Sequence, residues 1–227
     1  MITLSFTYIF IAIIVLIYFG SMGNPEITDL LLFSSHKVRK KKQWYRLFSS
    51  SLVHLGFVHL AMNSIAIYYF APIVETSFGT GITTLVFVLS VLGGSLFPLW
   101  LRRKDHDYLA LGASGGVSGL VMFSMFLIPD MQVGMFLIPI YLPAWIFGII
   151  FCISSVVLTQ TPDRNRISHE GHLGGLFFGG CLALLFIPNV LQLRECAYLF
   201  WAGIFPIFLF ILMQTIKPAW FYRKNYR

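Results

Sequence analysis

Four polar residues in apolar surroundings have the residue types that acyl-transfer chemistry needs: His59, Asn63, Ser114 and His172. A serine hydroxyl is a weak nucleophile until an adjacent base takes its proton, and histidine is the usual base. We therefore expect Ser114 to be the nucleophile and His172 its base. Histidine and asparagine side chains can donate hydrogen bonds to an oxyanion, as a backbone N–H can. This predicts His59, Asn63 and the Ser114 N–H as the oxyanion donors.

The segments that carry these residues are apolar enough to cross a membrane. Of the 227 residues, 57% are hydrophobic and 11% are charged, and the mean hydropathy is +0.79. A soluble domain carries roughly 25% charged residues, so the soluble and disordered classes are excluded. Seven uncharged stretches each reach the roughly 20 residues of a transmembrane helix. They are 1–25, 47–74, 76–101, 108–129, 131–162, 171–193 and 196–216. We predict an all-α polytopic membrane protein.

The chain shows no tandem repeat and no room for a soluble domain. The first stretch lacks a basic n-region and a small-x-small cleavage site before a soluble domain, so we interpret it as a retained span. We predict one membrane-embedded domain over 1–227, with a core of about 1–191 and an extra C-terminal helix over about 196–217. The connections are predicted at 21–52, 102–107, 130–134, 161–170 and 192–195.

The direction of the spans predicts that the four candidate residues meet. Spans two, four and six run the same way, so their first residues lie at one membrane face, here named face B, opposite the N-terminus. His59 and Asn63 are four residues apart and share one face of span two. Ser114 begins span four and His172 begins span six. Polar groups in spans are rare and mark functional sites.

Glycine spacing indicates which helices touch. Small residues four apart let helix backbones approach closely in lipid, although such a pair alone usually reports packing only. The spacing occurs on spans four and six, as Gly112/Gly116, Gly115/Gly119 and Gly171/Gly175/Gly179. If these faces pack together, Ser114 and His172 fall within reach of each other.

The sequence lacks the residues that other membrane-protein mechanisms need. A zinc protease needs HExxH or a similar pattern, which is absent. An aspartyl mechanism needs two carboxylates within the spans, and the nine acidic residues lie outside the uncharged stretches. A transporter would also carry intramembrane acids, which leaves it a distant alternative.

The cysteines and the net charge point to no further ligand. Cys152, Cys181 and Cys196 form no CxxC. The net charge of +7 fits lipid headgroups rather than nucleic acid. We expect no metal, cofactor or nucleic acid.

Four motifs in order resemble the rhomboid family of intramembrane serine proteases. The similarity runs from about residue 43 to about 185 and includes a Glu75-x-x-x-Gly79 turn before span three. The four motifs are Trp44-Tyr45-Arg46, His59-x-x-x-Asn63, Gly112-Ala113-Ser114-Gly115 and His172-x-x-Gly175-x-x-x-Gly179. The resemblance implies a bundle of six core transmembrane helices plus one C-terminal helix.

The resemblance also implies an activity. Ser114 would attack a peptide bond in the transmembrane segment of a membrane-protein substrate, with His172 as general base and then general acid. His59, Asn63 and the Ser114 N–H would form the oxyanion hole, without a third carboxylate, metal or cofactor. The family prefers small residues before the scissile bond. The alternative is a catalytically weak or inactive rhomboid-like protein that binds and escorts membrane clients. We expect a multi-pass protein of a prokaryotic cell membrane.

Two residues depart from the family pattern. The position four after the serine is usually an aromatic residue that stacks on the histidine, and here it is Ser118. The change creates a second, overlapping GxSG at 116–119, one helical turn deeper. We keep Ser114 as the nucleophile because its place at the helix start is nearer water. Tyr45 replaces a common tryptophan, which is conservative.

The distribution of basic residues and the resemblance to the family imply opposite orientations in the membrane. Face B holds fifteen of the sixteen basic residues, and Arg194 alone lies on the other side. Short-loop Lys and Arg residues favour the cytoplasmic side, which would place face B and the site inside. Most family members instead open their site to the outside. We follow the charge distribution and predict a cytoplasmic face B.

Overall fold

The computed structural model describes residues 5–103, 105–135, 138–159 and 168–216 and is mostly helical there. The α-helices are α1 (Phe6–Ser21), α2 (Pro25–Leu31), α3 (Ser35–Lys41), α4 (Arg46–Ser49), α5 (Phe57–Leu101), α6 (Ser114–Leu127), α7 (Ala144–Leu158), α8 (His169–Phe186), α9 (Arg194–Leu199) and α10 (Phe205–Ile216). The strands are β1 (Phe33–Ser34), β2 (Leu109–Ala110), β3 (Gln132–Met135) and β4 (Ile138–Pro143). Two short 3₁₀ turns (Ser50–Leu52, Val190–Gln192) and a π-helical turn (Phe200–Ile204) complete them.

Two helices in these ranges are long and apolar enough to cross a membrane, namely Phe57–Leu101 and the continuous helix Arg194–Thr215. The first has 45 residues, which at 1.5 Å per residue is about twice the roughly 30 Å hydrocarbon core. It is divided by a kink at Gly79 and therefore contains predicted spans two and three. Helices α1, α6 and α7 are apolar but shorter. The helical class is confirmed, and the number of spans stays a prediction.

The kink at Gly79 is fixed by backbone geometry and by Glu75. Gly79 has φ 77° and ψ 168°, a conformation that side chains with a Cβ rarely adopt. The Glu75 carboxylate accepts hydrogen bonds from the Phe6 N–H at 2.6 Å and the Thr80 hydroxyl at 2.7 Å. A carboxylate at a helix N-terminus satisfies free N–H groups and complements the helix dipole. Glu75 therefore joins the start of α1 to the turn.

Glycines let α5, α6 and α8 meet backbone to backbone. A Cβ built on Gly175 of α8 would collide with the carbonyl oxygen of Gly115 in α6, and one on Gly179 would collide with Gly119. A Cβ on Gly174 would collide with Gly93 of α5. The predicted packing of the two glycine faces is confirmed for Gly115/Gly119 against Gly175/Gly179.

Gly175→Ala is expected to destabilise the protein by about 1–3 kcal/mol, because the added methyl overpacks the α6–α8 contact. The matched control is Gly81→Ala on α5, where nothing lies within 4 Å of the added Cβ. There the alanine removes a helix-weakening glycine, which is worth roughly 0.5–1 kcal/mol. Thermal unfolding in detergent micelles measures both. A Gly175→Ala protein that melts at or above the wild-type temperature would contradict this packing.

Two details of the predicted all-α layout are wrong. The stretch 131–162 begins not as a helix but as an antiparallel hairpin, in which Gln132 pairs with Pro143 and Val133 with Leu142. Proline has no N–H to donate and blocks a continuous helix, so α7 begins only after Pro143. Gly112 also lies outside span four. It has φ +113° and precedes α6, so it takes no part in a small-xxx-small pair.

The first connection, 21–52, is folded rather than an open loop. It contains α2, β1, α3 and α4, and a small core of Phe33, Val38, Leu47 and Leu99 fixes it to the end of α5. The Arg46 side chain is buried and donates to the carbonyl oxygens of Asp29 and Leu32, both at 2.7 Å. Trp44 and Tyr45 are about half exposed, as expected of residues that face the headgroup layer.

Candidate active site

Ser114 is presented by a short extended segment that the first connection holds in place. Strand β2 pairs with β1 through Phe33–Ala110 and Ser34–Leu109. The Gly112 N–H then donates to the carbonyl oxygen of Ser50 at 2.9 Å. The chain turns at Gly112, whose positive φ suits glycine, and α6 begins at Ser114.

His54 supports the same turn and was missed by the sequence reasoning. Its Nε2 accepts a hydrogen bond from the Ala113 N–H at 3.3 Å, directly before Ser114. A neutral imidazole has one ring nitrogen that can accept a hydrogen bond, and in His54 this bond uses it. The two rings meet edge to face at 5.1 Å. The signal in the sequence was a second histidine five residues before His59.

His59 lies against the turn that leads to Ser114. A Cβ built on Gly112 would fall 2.5 Å from Cε1 and 2.7 Å from Nε2 of His59, so the ring fills the space that the glycine leaves. Asn63, one turn further along α5, is buried and donates through Nδ2 to the carbonyl oxygen of His59 at 2.9 Å. A side-chain amide has two N–H donors, and this bond uses one of them.

His172 enters the site from the first turn of α8. The carbonyl oxygen of the preceding Gly171 lies 3.4 Å from the Cβ position of Gly115, which follows Ser114. The His172 ring has Phe151 of α7 at 6.1 Å and His169 at 6.0 Å, both edge to face. The contact between Gly171 and Gly115 makes the first turns of α6 and α8 adjacent. The hydrogen bonds among the described residues do not include one between Ser114 Oγ and His172.

A small cavity reaches Ser114. Its volume is about 30 Å³, enough for a water molecule, which needs roughly 10–15 Å³. Residues from the first connection and from the starts of α6 and α8 line it, among them Ser50, Ser51, Gly112, Ser114, Ser168 and Gly171. Ser118 is not among the lining residues and is only 2% exposed. Of the two overlapping GxSG serines, Ser114 is the one beside this space.

The family model described as Rhomboid domain matches residues 41–189, which is well over half of the chain. The chain belongs to the rhomboid family. Because rhomboids are integral membrane proteins, the membrane class predicted from composition is confirmed. His59, Asn63, Ser114 and His172 all lie within the matched range.

Curated rhomboids from bacteria and mitochondria are similar to this chain. Rhomboid-like protein 12, mitochondrial, of Arabidopsis thaliana is 30% identical over 156 residues, which cover 60% of this chain and 44% of that protein. Rhomboid protease GluP of Bacillus subtilis is 26% identical over 186 residues, or 77% of this chain and 33% of that protein. Rhomboid protease AarA of Providencia stuartii is 21% identical over 218 residues, or 85% and 75%. The chain thus spans less than half the length of the first two.

In this rhomboid the aromatic neighbour of His172 comes from another helix. The family resemblance expects an aromatic residue at position 118, where this chain has Ser118. The ring beside His172 is instead that of Phe151, near the middle of α7. Sequence reasoning missed Phe151 because an aromatic residue in an apolar span carries no distinguishing signal.

Proposed function

We propose that this rhomboid is an intramembrane serine endopeptidase that cleaves transmembrane segments of membrane-protein substrates. Ser114 is the nucleophile, and His172 is the general base and acid. His59, Asn63 and the Ser114 N–H form the oxyanion hole. The domain is a single membrane unit with six core helices and one C-terminal helix. Its location in a prokaryotic cell membrane and the cytoplasmic position of face B stay predictions.

The first half of the reaction forms an acyl-enzyme. Ser114 Oγ attacks the carbonyl carbon of the scissile bond while His172 takes the hydroxyl proton. The Ser114 N–H is in the first turn of α6, where amides have no carbonyl partner within the helix and the dipole favours negative charge. It can therefore donate to the oxyanion. As the C–N bond breaks, His172 gives its proton to the leaving amine.

The second half hydrolyses the ester on Ser114. A water molecule attacks the acyl carbon, His172 takes a proton from it, and the collapse of the tetrahedral intermediate returns that proton to Ser114 Oγ. The small cavity beside Ser114 gives this water a place next to the ester. The hydrophobic surroundings make each hydrogen bond to the oxyanion stronger than it would be in water.

One observation supports this function above the others. The close backbone contact between α6 and α8 brings together two first turns, one with Ser114 and one with His172. The test is labelling of the purified protein in detergent by a fluorophosphonate, which reacts with activated serines. We expect wild type to be labelled. An unlabelled wild type that still binds transmembrane peptides would favour the escort alternative, and solute flux in liposomes without labelling would favour a transporter.

The oxyanion donors should give graded losses. His59→Ala and Asn63→Ala are each expected to slow peptide cleavage about 100- to 1,000-fold, since one lost donor costs about 2.7–4 kcal/mol of transition-state stabilisation. The assay uses tagged transmembrane peptides with small residues at the membrane boundary. Met62→Ala is the control, because Met62 lies between them in sequence and is exposed. Wild-type rates in both variants would show that His59 and Asn63 contribute to helix packing and not to the oxyanion hole.

A further inference from the structure

A buried ion pair lies at the start of the helix that carries His172. Glu170 is in the first turn of α8, and its side chain is 4% exposed. It pairs with the guanidinium of Arg102, the residue that follows α5, whose Nε donates to Glu170 Oε1 at 2.6 Å. Arg102 Nη2 also donates to the carbonyl oxygen of Thr159, directly after α7, at 3.1 Å. The pair thus connects three helix ends.

The second carboxylate oxygen of Glu170 is also bound. Tyr108, between α5 and α6, donates from its hydroxyl to Glu170 Oε2 at 3.2 Å and lies 2.7 Å from Ser168 Oγ. Ser168 is the N-cap of α8, and its Oγ accepts from the Gly171 N–H at 2.9 Å. The tyrosine hydroxyl has one proton to donate, and the Glu170 carboxylate can only accept, so Tyr108 is the donor of this bond.

His172 itself lacks such a partner. The hydrogen bonds of the described residues include none from its imidazole, and the rings of Phe151 and His169 lie beside it. In a triad a carboxylate bonded to the histidine sets its orientation. Here the direction of the imidazole depends on where the first turn of α8 lies, because Glu170 and His172 are on that turn with only Gly171 between them.

We propose that Glu170 and Arg102 are positioning residues for the base, and that their buried pair fixes the first turn of α8 so that His172 faces Ser114. The proposal rests on the proposed function for its catalytic consequence. A buried charge is stable only while its partner remains, so the pair holds the helix ends in one arrangement. A misplacement of about 1 Å can cost about 100-fold in rate, so a loosened turn should lower the rate without changing substrate binding.

The test is Glu170→Gln, which keeps the side-chain shape and removes the charge. We expect kcat for a tagged transmembrane peptide to fall roughly 10- to 100-fold while KM stays unchanged. The matched control is Asp29→Asn. It makes the same acid-to-amide change in the Asp29–Lys37 pair, where the Asp29 side chain is 66% exposed, and should leave kcat unchanged. Arg102→Lys keeps the charge without the planar fork and should give an intermediate loss.

A second readout does not depend on activity. In NMR spectra of protein labelled with ¹⁵N-histidine, the side-chain signal of His172 is assigned by comparison with His172→Ala. We expect this signal to shift and broaden in Glu170→Gln and to stay unchanged in Asp29→Asn. A folded Glu170→Gln protein with wild-type kcat and an unchanged His172 signal would overturn the proposal. An inactive wild type would instead overturn the proposed function, and the NMR comparison would still decide the role of Glu170.

Discussion

Ser114→Ala is expected to abolish both peptide cleavage and fluorophosphonate labelling. Loss of a nucleophile from a serine–histidine pair costs on the order of a million-fold in rate, which places the variant at background. The structure favours this serine because it begins α6 and lines the cavity. The measurement is initial cleavage rate in detergent, with in-gel fluorescence of the labelled protein as the second readout.

Ser118→Ala is the matched control for this prediction. It changes the other GxSG serine, one turn deeper, to the same residue. Because Ser118 is 2% exposed and is not among the residues that line the cavity, the variant should retain cleavage and labelling. If Ser118→Ala were inactive and unlabelled while Ser114→Ala kept both activities, the assignment of the nucleophile would be wrong.

His172→Ala is expected to remove labelling and cleavage as completely as Ser114→Ala, because a nucleophile and its base act as a unit. The structural reason is the contact between α6 and α8, which sets the first turn of α8 beside Ser114. Combining the two substitutions should cost no more than either one. This non-additivity distinguishes a shared step from two separate defects.

The control for the base is His169→Ala. His169 begins α8 and its ring lies 6.0 Å from that of His172, so the variant removes a neighbouring imidazole without removing the base. We expect it to keep most of the labelling rate, measured as a time course at fixed probe concentration. Full labelling of His172→Ala together with no labelling of His169→Ala would show that His169, and not His172, is the base.

The sequence predicted what depends on composition and on spacing along one helix. Uncharged stretches of sufficient length indicated the membrane class, and glycines four apart indicated the contact of Gly115 and Gly119 with Gly175 and Gly179. These features are local, and the cost of burying polar groups in lipid leaves few alternatives to helices. The four candidate residues were chosen on the same basis, and their catalytic roles stay predictions.

Features that depend on tertiary contacts were not predictable. Glu170 was counted as an acid between spans, yet it is buried in α8 because Arg102, 68 residues earlier, pairs with it. Gly112 matched a helix-packing pattern, but the chain before α6 is held in an extended form by β1 and by Ser50. Phe151 became the neighbour of His172 through helix packing alone.

The most direct test of the central claim is peptide mapping of the fluorophosphonate adduct by mass spectrometry on the wild-type protein. Proteolysis after labelling yields fragments in which Ser114 and Ser118 are distinguished by fragment ions. The proposed chemistry predicts one phosphonyl group on Ser114 Oγ and none on Ser118, with the adduct absent from His172→Ala. An adduct on Ser118, or on a serine remote from α6, would contradict it. So would a wild-type protein that cleaves peptide while Ser114 stays unmodified at a saturating concentration of probe.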